Sequence, residues 1–233
     1  MTTIASNLQA VRESIAASAA SIGRNADEIA LLAVSKTFPV EAIREAFSAG
    51  QRRFAESYVQ EALPKIETLK GLGIEWHFIG PIQANKTRPI AQNFAWVHSV
   101  DRLKIAERLS DQRPAGMPPL QVCLQVNISG EASKSGAAPN EVLEFAKGMA
   151  MLPNLSLRGL MAVPAPGNDK ASQRAAFAEL RRLYEMLKGE GLSLDTLSMG
   201  MSDDYPSAIA EGATIVRIGS AIFGRRNYME RKA

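Results

Sequence analysis

Short apolar runs alternate with stretches of helical periodicity along the whole chain, and this alternation constrains the fold more than any other feature. The first run, residues 29–34, is too short for a helix and is typical of a strand that is buried on both faces. The pattern predicts further strands at residues 52–55, 75–79, 95–99, 121–127, 156–162, 196–199 and 214–218. Helical stretches are predicted at residues 40–50, 57–69, 83–92, 101–110, 139–151, 170–188 and 203–211.

Eight strand–helix units in 233 residues predict an α/β fold, a single (β/α)8 barrel of the TIM type that forms one domain over residues 1–233. Apolar residues that recur every three or four positions predict an extra N-terminal helix over residues 2–22. A doubly wound open sheet is the alternative, but it needs fewer strands and a glycine-rich turn after the first one. That turn reads Ser35-Lys36-Thr37 and contains no glycine.

Composition and charge exclude several classes of function. The net charge of +3 is small, and no basic stripe with interleaved aromatic residues indicates nucleic-acid binding. No apolar run approaches the ~18 residues of a membrane span, and no signal peptide is seen, so we expect a cytoplasmic protein. A loop is predicted at residues 165–169, and the basic residues within 225–232 are expected to form a solvated tail.

The residues that most often bind metals are scarce in this chain. The single cysteine, Cys123, excludes an internal disulfide and is interpreted as a small buried hydrophobic residue. The two histidines, His77 and His98, are interpreted as hydrogen-bonded core residues. With so few candidate ligands, the sequence predicts no metal site.

A lysine, Lys36, closes the first and otherwise apolar strand. Barrel enzymes place their active sites at the carboxyl ends of the strands, where low-dielectric walls disfavour an ammonium group and lower its pKa. A neutral amine at that position can attack an aldehyde and form a Schiff base. The competing interpretation is a lysine that simply extends its amine into solvent from the end of a strand.

The seventh and eighth strand ends carry small residues at the place where barrels commonly build a phosphate site. Met199 ends one strand and Gly200 and Ser202 follow it, and Gly219 and Ser220 follow the other. Glycines let backbone N–H groups approach an anion, serines add hydroxyl donors, and the helices that follow add a favourable dipole. The glycines could instead serve only tight turns. Together with the lysine amine, the two loops favour a pocket for a phosphorylated carbonyl compound.

Six segments, in order and at similar separations between residues 29 and 228, resemble the pyridoxal phosphate homeostasis proteins, the YggS/PROSC family. The resemblance implies a monomeric barrel related to the N-terminal domain of bacterial alanine racemase, with pyridoxal 5'-phosphate (PLP) bound to Lys36 as a Schiff base. It also implies that Ser202, Gly219 and Ser220 hold the phosphate and that Arg217 faces the pyridine nitrogen. The segments are LLAVSKT, EWHFIGPIQANK, VNISGEASKSG, RGLMAV, LSMGMSDD and TIVRIGSAIFG.

One further segment departs from the family pattern. Residues 54–61 read FAESYVQE, whereas the family usually has FGENYVQE, so Ala55 and Ser57 replace a glycine and an asparagine. Ser57 remains a candidate cofactor contact, although a serine side chain reaches less far than that of asparagine.

The resemblance implies a protein that carries or buffers PLP in vitamin B6 homeostasis, with apo-PLP enzymes as recipients and no catalytic residues. An arginine at the pyridine nitrogen is a charged donor and cannot accept a proton, so the ring stays unprotonated and is a poor electron sink. Racemases of this barrel type also need a tyrosine from a second domain, and we expect no second domain here. Tyr205 is interpreted as a structural residue. A weak PLP-dependent amino-acid racemase is the alternative. A Schiff-base aldolase for a sugar phosphate and a ligand-free interaction barrel also stay open.

Overall fold

The computed structural model describes residues 3–131, 135–165 and 169–224, and these residues form a closed barrel of parallel strands. Each strand pairs in parallel with the next one along the chain, and the last strand pairs with the first. The predicted (β/α)8 barrel is therefore confirmed. In chain order, β1 to β8 are Ala30–Val34, Arg53–Glu56, Glu75–Phe78, Trp96–Val100, Leu120–Gln125, Leu155–Met161, Thr196–Ser198 and Ile215–Ile218.

The helices cover the outside of the barrel. In chain order, α1 to α9 are Ile4–Ala20, Val40–Ser48, Val59–Thr68, Thr87–Asn93, Leu103–Gln112, Val142–Ala150, Lys170–Gly189, Tyr205–Ala210 and Ser220–Phe223. Within the described residues, no helix is both long enough and apolar enough to cross a membrane.

The predicted extra N-terminal helix is α1. The hydroxyl of Thr3 caps it by accepting a hydrogen bond of 3.1 Å from the backbone N–H of Ser6. Its apolar face buries Leu8, Val11 and Ile15 against the core. Because α1 packs against α2, α8 and α9, it closes the ring of helices where the last strand–helix unit meets the first.

The predicted element boundaries differ from the observed ones by only a few residues. The helical stretch predicted at residues 83–92 begins with a 3₁₀ turn, Ala84–Lys86, before α4 starts. The four-residue helix α9 was not predicted, because one turn is too short to show apolar periodicity. The predicted loop at 165–169 lies partly, and the predicted basic tail within 225–232 wholly, outside the described residues.

The core has two parts. The larger part lies between the strands and the surrounding helices and contains most of the buried apolar residues. A small apolar cluster, Leu32, Val34, Ala55 and Ile215, belongs to β1, β2 and β8. Cys123 is fully buried, and burial raises the pKa of its thiol to about 12, so the interpretation as a buried hydrophobic residue is confirmed.

Candidate functional site

A cavity of about 290 Å³ opens at the carboxyl ends of the strands. It brings together five of the residues that the sequence singled out: Lys36, Ser202, Arg217, Gly219 and Ser220. The cavity is at the lower end of the range of about 300–1,000 Å³ that is usual for small-molecule sites. The rest of its wall is formed by Val34, Ile79, Met161, Val163, Met201 and Asp203.

A sharp turn after β1 presents Lys36 to this cavity. Thr37, the next residue, has φ of 71°, and among the described residues it is the one non-glycine with a positive φ. This conformation is costly for a β-branched side chain, and such strain is concentrated at functional sites. The backbone N–H of Thr37 donates a hydrogen bond of 3.3 Å to Glu61, which helps to hold the turn.

A buried ion pair fixes the backbone next to Lys36 from the helix side of the barrel. Nζ of Lys65 donates to Oε1 of Glu56 at 2.9 Å and to the carbonyl oxygen of Ser35 at 3.0 Å. The Ser35 hydroxyl donates to the same carboxylate oxygen at 2.6 Å. Burial raises the pKa of Glu56, while Lys65 opposes that rise. The pair therefore anchors Ser35, and with it the start of the turn that carries the lysine.

The loops after β7 and β8 meet at one end of the cavity. The hydroxyl of Ser220 donates a hydrogen bond of 3.2 Å to that of Ser202, so the two loops present a pair of hydroxyl groups. A side chain at Gly219 would place its Cβ 3.3 Å from the carbonyl oxygen of Val34, so glycine lets this part of the cavity wall pack closely against β1. The helices that follow, α8 and α9, have six and four residues, so the expected contribution of helix dipoles is small.

Arg217 also lines the cavity, from within β8, and it is 4% exposed. Its Nη1 donates to the carbonyl and the hydroxyl of Ser198 at 2.6 and 2.9 Å, and its Nη2 donates to the carbonyl of Ala162 at 2.9 Å. Burial lowers the pKa of Arg217 to about 10, so the guanidinium still carries its charge at neutral pH.

Three of the predicted site residues lie outside the cavity wall. The side chain of Met199 is fully buried in the larger core cluster. Gly200 has φ of 93° and packs against α8, and its carbonyl accepts a hydrogen bond from the backbone N–H of Arg217. Ser57 is 8% exposed and is held where Gly80 approaches its backbone so closely that a side chain at Gly80 would overlap it. These three residues therefore support the segments next to the cavity and do not line it.

Tyr205 has the structural position that the sequence suggested. Its phenol lies 2.6 Å from the hydroxyl of Ser14 on α1, and the residue is not part of the cavity wall. The contact ties the first residue of α8 to the N-terminal helix.

Sequence reasoning missed the apolar part of the cavity wall and the acidic residue Asp203. A signal for part of it was present, because alternate residues of a strand share a face and Val34 stands two residues before Lys36. Ile79 was included in a predicted strand, but nothing in the sequence indicated which face it occupies.

Comparison with known proteins agrees with this geometry. The sequence profile of the alanine racemase N-terminal domain family matches residues 6–227. A protein of Pseudomonas aeruginosa named pyridoxal phosphate homeostasis protein is 61% identical over 228 residues, which cover 98% of each chain. The chain belongs to the pyridoxal phosphate homeostasis protein family. A member of this family from Escherichia coli is 53% identical over 99% of this chain and 100% of its own.

A solved structure of a related protein agrees as well. PipY of Synechococcus elongatus without PLP is 38% identical, with a TM-score of 0.86 over 95% of this chain and 100% of that one. The structure of PipY with PLP bound is 39% identical, with a TM-score of 0.80 over 90% of this chain and 100% of that one. The barrel of the pyridoxal phosphate homeostasis family is thus found here over most of the chain.

Proposed function

We propose that this protein holds PLP in the cavity at the carboxyl ends of the strands, attached to Lys36 as a Schiff base, and serves intracellular PLP homeostasis. The observation that carries the proposal is the cavity itself, which combines one lysine amine, one buried guanidinium and a pair of serine hydroxyls. Relatives named pyridoxal phosphate homeostasis protein and a relative with PLP bound support it.

The cavity residues fit the groups of PLP. When bound, PLP supplies an aldehyde carbon with which a neutral primary amine condenses, with the loss of one water molecule. Lys36 offers that amine, and Ser202 and Ser220 offer hydroxyl donors for the phosphate beside Gly219. Arg217 offers N–H donors for the pyridine nitrogen.

We propose further that the protein turns over little or no substrate. PLP enzymes use a protonated pyridine ring as an electron sink, usually with a carboxylate partner. Arg217 is a charged donor at neutral pH, so it keeps the nitrogen as an acceptor and favours the unprotonated ring. The hydroxyls of Tyr184 and Tyr205 are engaged with Leu194 and Ser14, which leaves these phenols in structural contacts.

The remaining features of the proposed function concern its setting. The chain acts as one domain over residues 1–233 and as a monomer in the cytoplasm, and apo-PLP enzymes are the recipients of its cofactor. The partial exposure of Lys36 supports the transfer of PLP to a recipient enzyme. Because Lys36 is only partly buried, an amine of the recipient can reach it.

The experiment that tests the function separates binding from turnover. The purified protein and Lys36→Ala are titrated with PLP and followed by visible absorption, and each is then incubated with amino acids in deuterated water. We expect PLP binding that depends on Lys36, with α-proton exchange at the level of free PLP. Fast exchange that is lost in Lys36→Ala would instead support the racemase. If the protein does not bind PLP, the sugar-phosphate aldolase and the ligand-free interaction barrel become the favoured alternatives.

A further inference from the structure

A chain of hydrogen bonds crosses the barrel from the cavity to the opposite end of the strands. Arg217 Nη1 donates to the hydroxyl of Ser198 at 2.9 Å, and this hydroxyl lies 2.8 Å from Nδ1 of His98. Nε2 of His98 lies 2.8 Å from Nδ1 of His77, and Nε2 of His77 lies 2.9 Å from Oε1 of Glu75. We call Ser198, His98, His77 and Glu75 the Arg217 relay.

The relay occupies the interior of the barrel. His98 is on β4 and Ser198 is on β7, and β5 and β6 separate these strands in the wall, so their contact must pass through the interior. Ser198, His98 and His77 are each at most 1% exposed. Barrel interiors are usually filled by bulky branched apolar side chains, and buried polar groups are costly unless they are fully hydrogen-bonded. A polar chain at this depth therefore calls for a role beyond packing.

The chemistry of its members gives the relay one direction. Burial lowers the pKa of His77 and lowers that of His98 further, so both imidazoles are neutral at pH 7. The hydrogen bond from His77 lowers the pKa of Glu75, which is therefore an ionised acceptor. Its contact with His77 is thus a hydrogen bond from a neutral ring.

Only one assignment of protons then satisfies every contact. The carboxylate of Glu75 requires Nε2–H on His77, which leaves Nδ1 of His77 as an acceptor for Nε2–H of His98. Nδ1 of His98 then accepts the hydroxyl proton of Ser198, whose oxygen accepts from the donor-only Arg217. Every donor points from the cavity towards Glu75.

We propose that the Arg217 relay positions the guanidinium for the pyridine ring of PLP, with Ser198 and His98 as positioning residues. This inference rests on the proposed function. The bonds to Ser198 and Ala162 use three of the five N–H groups of the guanidinium, and Arg217 lines the cavity. In this inference, the two remaining N–H groups are assigned to a ligand in the cavity. Because the hydroxyl of Ser198 donates its proton to His98, a lone pair of its oxygen faces Arg217. The bond from Arg217 to this oxygen then fixes the direction of the remaining guanidinium N–H groups.

The first test removes one hydroxyl from the relay. We expect Ser198→Ala to weaken PLP binding about tenfold, since a lost hydrogen bond to a charged group changes affinity by that order. The matched control is Thr196→Val on the same strand, because the Thr196 hydroxyl bonds Asp195 and not the relay. Thr196→Val should bind PLP as the unchanged protein does.

The second test uses the acceptor on His98. In His98→Asn, the amide oxygen takes the approximate place of Nδ1 and should retain most of the PLP affinity. His98→Phe removes the acceptor and should resemble Ser198→Ala. If the phenylalanine variant fails to fold, Ser198→Ala with its control still decides the question.

A ligand that lacks the ring nitrogen distinguishes positioning from a general effect on the fold. We expect Ser198→Ala to weaken PLP binding but to leave binding of the 1-deaza analogue of PLP unchanged, because that analogue offers Arg217 no acceptor. Equal weakening for both ligands, or no weakening for PLP while Arg217→Gln does weaken it, would overturn the relay and leave the proposed function standing. No PLP binding by the unchanged protein would instead refute the proposed function.

The protonation pattern can be read without any cofactor. The chain has two histidines, so the long-range ¹H–¹⁵N spectrum of the PLP-free protein contains only the imidazoles of His77 and His98. His98 should be a neutral Nε2–H tautomer between pH 6 and 8, and His77 should be the same tautomer at pH 7. An Nδ1–H tautomer at His98, or titration of His98 within that range, would contradict the relay.

Discussion

Arg217 on β8 donates two hydrogen bonds to Ser198 on β7, one to its carbonyl at 2.6 Å and one to its hydroxyl at 2.9 Å. The cation that faces the cavity is thus held by the neighbouring strand and is itself part of the buried core. We therefore expect Arg217→Gln to weaken PLP binding at least tenfold and also to lower the free energy of unfolding by about 1–3 kcal/mol, since buried carbonyls lose their donor. Equilibrium dialysis and urea unfolding measure the two effects, and unchanged PLP affinity would show that Arg217 does not contact the ring.

The serine pair predicts a difference between two ligands. Ser202→Ala combined with Ser220→Ala should weaken binding of PLP about tenfold or more, because two donors to a phosphate are lost. The same change should leave the weaker binding of pyridoxal, which has no phosphate, almost unaltered. Ser207→Ala is the control, because its hydroxyl bonds Gln173 on the outside of the barrel. A variant that loses both ligands equally would mean that the phosphate lies elsewhere.

Gly200 predicts a large loss of stability from one methyl group. It has φ of 93°, and a Cβ would lie 2.6 Å from that of Ala208. Gly200→Ala should therefore cost about 2–4 kcal/mol from backbone strain and overpacking together. Gly189→Ala, at the end of α7 with open space around it, should be neutral or stabilise by about 0.5–1 kcal/mol. Urea unfolding of both variants checks the contrast, and similar effects of the two changes would contradict it.

The buried histidines predict that stability falls as the solution becomes acidic. Their pKa values are lowered by burial, so below about pH 6.5 the unfolded chain binds protons that the folded chain does not. Each histidine should cost on the order of 1 kcal/mol per pH unit between its unfolded-state pKa and its lower folded-state pKa, and the range is wider for His98 than for His77.

A variant isolates this contribution from that of the other groups. His98 contacts His77, Ser198 and the Trp96 ring and lies near the charge of Arg217, and His98→Asn leaves all four of these residues in place. The carboxyl groups also titrate in that variant as they do in the unchanged protein. The loss of unfolding free energy between pH 7.5 and 5.5 should therefore be smaller in His98→Asn. Equal losses in the two proteins would mean that His98 is protonated in the folded state.

The barrel could be predicted from the sequence because its signals are local. Each strand is a short apolar run, and the position of Lys36 just after the first run can be seen in the sequence itself. The cavity was less accessible, because the strand pattern gives the face of a side chain but not the register between strands. Met199 illustrates the limit, since it adjoins Gly200 and Ser202 in sequence but its side chain packs into the larger core cluster.

The relay could not be predicted at all. His77 and His98 were correctly interpreted as buried and hydrogen-bonded, but their link to Ser198, 100 positions beyond His98, depends on how the barrel closes. No pattern in a single strand records which residues meet across its interior.

The central claim is that Lys36 carries PLP, and reduction of the complex tests it most directly. The protein is saturated with PLP, treated with borohydride, digested and analysed by mass spectrometry, with Lys36→Ala and the exposed-lysine variant Lys104→Ala in parallel. We expect a phosphopyridoxyl group on the peptide that contains Lys36 in the unchanged protein and in Lys104→Ala, and none at position 36 in Lys36→Ala. An unmodified Lys36, with the label absent or on another lysine, would contradict the account.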